Sequence, residues 1–320
     1  MSEPTSAERA EISDSELVEH FEKARDAWSL ALASPELKTV AGALAAAAIG
    51  VEECVRESAR ITEAPATRRR LEAIREIVAG PTAGIAAGSF ERFVLAHAVL
   101  AYRKELQSAA LPPVVKRLAC SGLLRFADGR TVVNLSEHRF VALCKIATLR
   151  RFPAGQFDWE RSGLPRSWLA RVRPLSALTR LLSIIAFEWR GFSPAFFVHA
   201  PTTYSVPALL EREALKSYHR MARSMALQPE VKGLVASTWL HSPATFAVSP
   251  HLAWLNKVFA EHNAVVATMG PATLDSGVLV QSVERQRAFA EGRFKPTFGL
   301  IVWPRRDVLA WAAAHPEFAR

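Results

Sequence analysis

KGLVASTWLHSPATFAVSPHLAWLNKVFAEHNAVVATM, residues 232–269, is the stretch whose reading decides the fold. It opens on an apolar run over 232–240 and breaks at His241, Ser242 and Pro243. A helical pattern follows over 250–262, opened by Ser249 and Pro250, before a second apolar run at 264–269. Short apolar runs bounded by turn residues read as strands, and the 3.6-residue pattern between them reads as a helix. Strand, helix, strand is the building unit of an α/β sheet.

The same alternation continues on both sides. Strand 195–199 precedes helix 209–226, strand 264–269 precedes helix 277–291, and strand 297–303 precedes helix 307–314. Upstream, 175–189 carries a helical pattern, while 152–168 is punctuated by Pro, Gly and aromatic residues without a helical period and reads as an ordered loop, the kind of segment where function collects. The first 125 residues are helical in pattern: Leu17, Phe21, Ala24 and Trp28 behind a Ser13–Glu16 capping box, and one helix from Ser34-Pro35 to about Arg60. Further helices are expected behind Thr67, Ser89, Pro112-Pro113 and Ser136, with an Asp128-Gly129 turn leading to a small strand at 131–135. The expected organisation is therefore a flexible tail over 1–12, a helical region over 13–125, a basic connecting segment over 126–190 and an alternating βα domain over 191–320. Its class is α/β, or α+β taken overall.

With 320 residues, 50% hydrophobic and 22% charged, the chain is long enough to bury a sizeable core and is neither disordered nor fibrous. Cys54, Cys120 and Cys144 are far apart and odd in number, as expected of free thiols in a reducing compartment. The polar N-terminus lacks the apolar stretch of a signal peptide, and the Ala-rich run at 40–51 falls short of the roughly 20 residues a bilayer span needs. A cytoplasmic protein without a membrane span is expected.

The net charge of +9 is unevenly placed. Residues 1–120 hold 15 basic and 17 acidic side chains, whereas 125–180 alone holds 11 basic and 4 acidic, with Trp159 and Trp168 interleaved. Arginines beside aromatics can contact phosphates and stack on bases, so this segment is the candidate for nucleic-acid, polyanion or carrier-protein contact. A solvated arginine-rich face, or a surface for an acidic cofactor, accounts for the same composition.

In α/β sheets ligands gather beyond the carboxyl ends of strands. The residues there are His199 with Thr202 and Thr203; His241, Ser242 and Pro243; Gly270 and Pro271; and Pro304, Arg305 and Arg306. An imidazole from His241 or His251 is suited to proton transfer near neutral pH, with Ser242 beside it as a candidate nucleophile. Arg166, Arg305, Arg306, His199 and Trp239 are the candidate groups for an anionic substrate or donor. No GxSxG elbow and no glycine-rich phosphate loop is present; GPATLDSG at 270–277 follows a strand and opens a helix, where free backbone N–H groups could hold an anion, and it reads equally as a plain strand-to-helix turn. The nine histidines form no HExxH or HxH spacing, so no metal is expected, though His199, His241, His251 and Glu261 could in principle be brought together by folding.

The order strand, loop, helix, strand, helix, strand over 232–303 resembles the second half of the Gcn5-related N-acyltransferase fold. The string SVERQRAFAEGRF at 282–294 is similar to that family's segment ending in Tyr-x-x-x-Gly-Phe, with Phe289 at the Tyr position and Gly292, Arg293 and Phe294 following. The resemblance covers under a third of the chain, and HSPATFAVSPHL stands where the family carries a glycine-rich pyrophosphate loop. It implies an acyltransferase-like enzyme that positions an amine or hydroxyl of a small molecule near an acyl thioester. His241 or His251 would be the base, and the backbone from Thr238 to Ser242 would orient the acyl carbonyl. The other expectations are a nucleic-acid or polyanion-binding protein using 125–180, and a protein-interaction scaffold.

Overall fold

The computed structural model describes residues 14–60, 65–80, 88–124, 137–200, 209–272, 278–279 and 282–319. The tail at 1–12, Ser13, the turn and strand expected at 128–135, Ser136, Thr202, Thr203 and the GPATLDSG segment from residue 273 on lie outside them. The chain is an α/β protein and divides into two compact units, Met1–Pro153 and Ala154–Arg320.

Helices fill the first unit: α1 (Asp14–Leu32), α2 (Pro35–Ala46), α3 (Val51–Arg60), α4 (Pro65–Ala79), α5 (Ser89–Ser108), α6 (Pro113–Leu124) and α7 (Glu137–Ala147). The stripe Leu17, Phe21, Ala24, Trp28 and Ala31 of α1 is buried, as its three- and four-residue spacing dictates. The single helix expected over 35–60 is broken in two, because Ala48 turns left-handed at φ 54° before Gly50. Ser89 is the first residue of α5, and Gly88, at φ 84°, takes the cap position that the sequence gives to the serine. All three cysteines are buried and free, and burial pushes the Cys54 and Cys120 thiols up to about 11 and about 12.

Strand β1 (Arg151–Pro153) ends the first unit; in the second, β2 (Asp158–Ser162), β3 (Ala195–His199), β4 (Gly233–Thr238), β5 (Val265–Pro271) and β6 (Thr297–Pro304) form one mixed sheet in the order β2-β3-β4-β6-β5. The segment expected to be a loop therefore supplies two strands. Trp159 is fully enclosed, its ring tilted at 30° and 3.8 Å from that of Phe196 of β3, while its neighbours Asp158 and Glu160 are only partly buried. That alternation has the period of a strand, but five residues are too short a run to stand out among prolines and glycines.

Helix α8 (Leu175–Ser183) continues into a π-helical turn, Ile184–Trp189, and α9 (Glu211–Ala226) connects β3 to β4. Between β4 and β5 lie a 3-10 turn (Trp239–His241), α10 (Pro243–Val248), a second 3-10 turn (Pro250–Leu252) and α11 (Trp254–Glu261). Helix α12 (Val283–Ala290) precedes β6, and α13 (Arg305–Ala314) follows it. The sheet core gathers Val235, Val265, Ala267, Leu300 and Val302 with Leu181, Ile184 and Trp189. Tyr218 and Trp303 belong to the core, with Phe259 edge-on at 5.1 Å and 5.3 Å.

Candidate functional site

Pairing in the sheet decides which of the expected residues share an edge. Strand β3 is parallel to β4, β6 is antiparallel to β4, and β5 is antiparallel to β6, so β3, β4 and β5 run one way and β6 the other. His199, the residues after Thr238, and Gly270 with Pro271 meet at one edge; Arg305 and Arg306, following β6, lie at the opposite one. The expectation of a single polar edge presupposed parallel strands throughout, and β6 breaks it. Arg305 Nη1 donates to the carbonyls of Met225, Gln228 and Val231 at 2.7, 2.9 and 3.0 Å, closing the end of α9. Arg306 pairs with Asp307 at 3.1 Å.

At the shared edge β3 and β4 part. Their ladder covers Phe196–Leu234, Phe197–Val235 and Val198–Ala236 and stops there. Each strand continues to pair on its other side, His199 with Asp158 of β2, and Ser237 and Thr238 with Leu300 and Gly299 of β6. The ladder thus ends close to the last residues of both strands, where each is held by its outer neighbour.

His199 stands at that edge, its Nε2 3.4 Å from Oε1 of Glu160, with the imidazole 26% and the carboxylate 16% exposed. Residues 197 and 199 share a face of β3, and Phe197 packs its ring 4.9 Å from His199 and 5.6 Å from Trp168. A carboxylate beside an imidazole orients the ring and stabilises the proton the ring accepts. Arg166 is exposed and lies over the ring of Phe192 at 5.1 Å.

His241, by contrast, is built into the scaffold. Asn256 Nδ2 donates to the His241 carbonyl at 3.0 Å, which leaves Asn256 Oδ1 facing His241 Nδ1 at 2.8 Å. An amide oxygen only accepts, so Nδ1 carries the proton and Nε2 the lone pair. Burial pushes the ring down to about 4, against the hydrogen bond to Asn256, and holds it neutral at pH 7. Ser242 is fully enclosed, its Oγ 2.5 Å from the Thr297 hydroxyl and accepting from Ala244 N at 3.3 Å as the cap of α10. A hydroxyl spent on a cap and a side-chain bond is a poor nucleophile. His251 is exposed on the 3-10 turn.

Set beside protein-family models, curated proteins and solved structures, the chain matches none.

Trp239 is partly buried, and the Arg285 guanidinium stacks over it at 4.8 Å. Among the described residues no three His, Cys, Asp or Glu side chains come together as a metal site, so His199, His241, His251 and Glu261 do not form one. No helix among the described residues is long and apolar enough to cross a membrane. Sequence reasoning missed Glu160 and Arg285. For Glu160 the available signal was the alternation Asp158, Glu160, Ser162 against Trp159, Arg161; for Arg285 there was none, since an arginine within a charged helix ordinarily faces water.

Proposed function

We propose that the second unit is the catalytic part of an acyltransferase-like enzyme that moves an acyl group from a thioester to an amine or hydroxyl of a small molecule. The His199–Glu160 pair at the carboxyl end of β3 carries this reading, because it sets a carboxylate-backed imidazole at the edge of the sheet where ligands gather. The order of elements from β4 to β6, on which the resemblance to Gcn5-related N-acyltransferases rests, supports it as well. In this reading His199, with Glu160 behind it, takes the proton of the attacking amine or hydroxyl. The nucleophile bonds to the acyl carbon, the carbon–sulfur bond breaks, and the thiolate leaves and is protonated. His241 serves the site by fixing the turn after β4, because a ring held neutral down to about pH 4 accepts a proton poorly at pH 7.

The test is release of free thiol from a panel of acyl thioesters mixed with primary amines and alcohols, with mass spectrometry of any acylated product. Turnover is expected, and His199→Gln should lower it by about 100-fold or more, the usual contribution of a positioned base. Absence of both bound donor and thiol release across the panel would remove the reading.

A second reading, polyanion binding, is favoured by the exposure of Arg161, Arg166, Arg171, Arg173 and Arg180. Part of this charge is already committed: Arg161 pairs with Glu230 at 2.9 Å, and Arg173 and Arg180 donate to carbonyls. Retardation of RNA or DNA at low salt, lost steeply as salt rises, would support it, and no retardation would reject it.

A further inference from the structure

Helix α12 carries a charged side chain on its inner face. Val283 is 72% and Phe289 37% exposed, while Arg285 is 5% exposed and lies with Ala288 on the inner face. The packing brings the cation in, one turn from Phe289 on the same side of the helix. Arg285 Nε donates to the Val278 carbonyl at 2.6 Å and Nη1 to Ser249 Oγ at 3.1 Å, and the indole of Trp239 lies beneath. Ser249 is itself 1% exposed. A guanidinium has five N–H groups, and these contacts engage two. No carboxylate among the described residues pairs with it, which distinguishes Arg285 from the paired Arg161, Arg293 and Arg306. Its acceptors are a carbonyl and a hydroxyl, both neutral, and burial lowers the pKa of the guanidinium from its ordinary value. A buried cation left without a counter-charge is among the costliest arrangements in a protein interior.

We propose that Arg285, with Ser249 and Trp239 fixing its plane, is the subsite for a compact oxyanion, the carboxylate or phosphoryl group of a small molecule. The guanidinium supplies the remaining N–H donors in the planar fork that suits two oxygens of such a group. The bound oxyanion would supply the counter-charge that Arg285 lacks among the described residues. The subsite requires no transfer chemistry and stands or falls separately from it.

Equilibrium dialysis with labelled inorganic phosphate and with labelled acetate, at ionic strength held constant with chloride, tests the proposal and separates the two sources of oxyanion. The native protein is expected to bind at least one of them saturably at a single site. Arg285→Met should weaken that binding tenfold or more, Arg285→Lys should weaken it less, and Arg287→Met, on the exposed face of the same helix, should leave it unchanged. Without ligand, Arg285→Met should melt at the native temperature or above it, since it removes an uncompensated charge. A purely structural arginine predicts a lower melting temperature and unchanged or absent ion binding, and that result overturns the proposal. If Arg285→Met does not fold, modification of the native protein with phenylglyoxal decides: phosphate or acetate should slow modification of Arg285 several-fold relative to Arg287, and equal rates overturn the subsite. Thiol release without oxyanion binding would remove the subsite and leave acyl transfer standing; oxyanion binding without thiol release would do the reverse.

Discussion

His241 shows how a residue chosen for chemistry is used for architecture. Its ring is neutral in the folded protein down to about pH 4, whereas an unfolded histidine takes up its proton near 6.5. Between those values the unfolded chain binds a proton that the folded chain does not. The contribution is therefore complete above pH 6.5 and is lost as pH falls toward 4, by roughly 3 kcal/mol at about 1.4 kcal/mol per pH unit. Urea titrations at pH 7 and pH 4.5 should show that loss, and His241→Gln should reduce it. Gly299 belongs to the same contact: a Cβ placed there would lie 2.4 Å from the carbonyl carbon and oxygen of His241, so the turn after β4 can cross β6 only over a glycine. Gly299→Ala should cost about 1–3 kcal/mol by forcing the two backbones apart. The measurement is a shift of the denaturation midpoint with an unchanged slope. Ser242→Ala, which removes a cap and the bond to Thr297, should cost about 1 kcal/mol and leave turnover intact, whereas a nucleophile would lose it entirely.

Among the elements, the parted strands give a prediction that needs no ligand. Ser237 and Thr238 lie past the last β3–β4 pair, at the fraying end of that ladder. Their amides should exchange with deuterium faster than those of residues 234–236, and bound donor should slow that exchange. Strands β3, β4, β5 and β6 were legible in the sequence because each is a run of apolar residues long enough to register, as in Thr297–Pro304. Strands β1 and β2 were not, since three and five residues broken by Pro153 and Gly155 carry too little pattern. The histidine at the end of β3 was legible as a strand-end residue. Its partner Glu160 was not, because the pairing depends on β2 lying beside β3, and register between distant segments leaves no local mark. The orientation of β6 was hidden for the same reason, and with it the position of Arg305 and Arg306.

On the scale of the whole chain, each unit encloses its own core: Trp28, Leu37 and Phe140 in the first, Trp159, Phe196 and Trp303 in the second. Seven of the eight tryptophans belong to the second unit. A fragment comprising residues 150–320, which keeps all six strands, should therefore retain most of the near-ultraviolet circular dichroism of the intact protein and unfold cooperatively. A featureless aromatic spectrum would show that the second unit cannot hold its fold alone.

Strand β6 lies between β4 and β5, although both precede it in the chain. On the ribosome, β5 thus emerges with no strand to ladder with, only the bridge from Thr268 to Arg173: the place beside β4 belongs to residues 297–304, which are still inside the exit tunnel. The sheet cannot close progressively as it is made, and the parallel pair β3–β4 stays exposed at its edge until that last strand arrives. A pause taken while β5 is outside the tunnel and β6 still within it would hold the nascent chain with that edge unpaired and prone to aggregate.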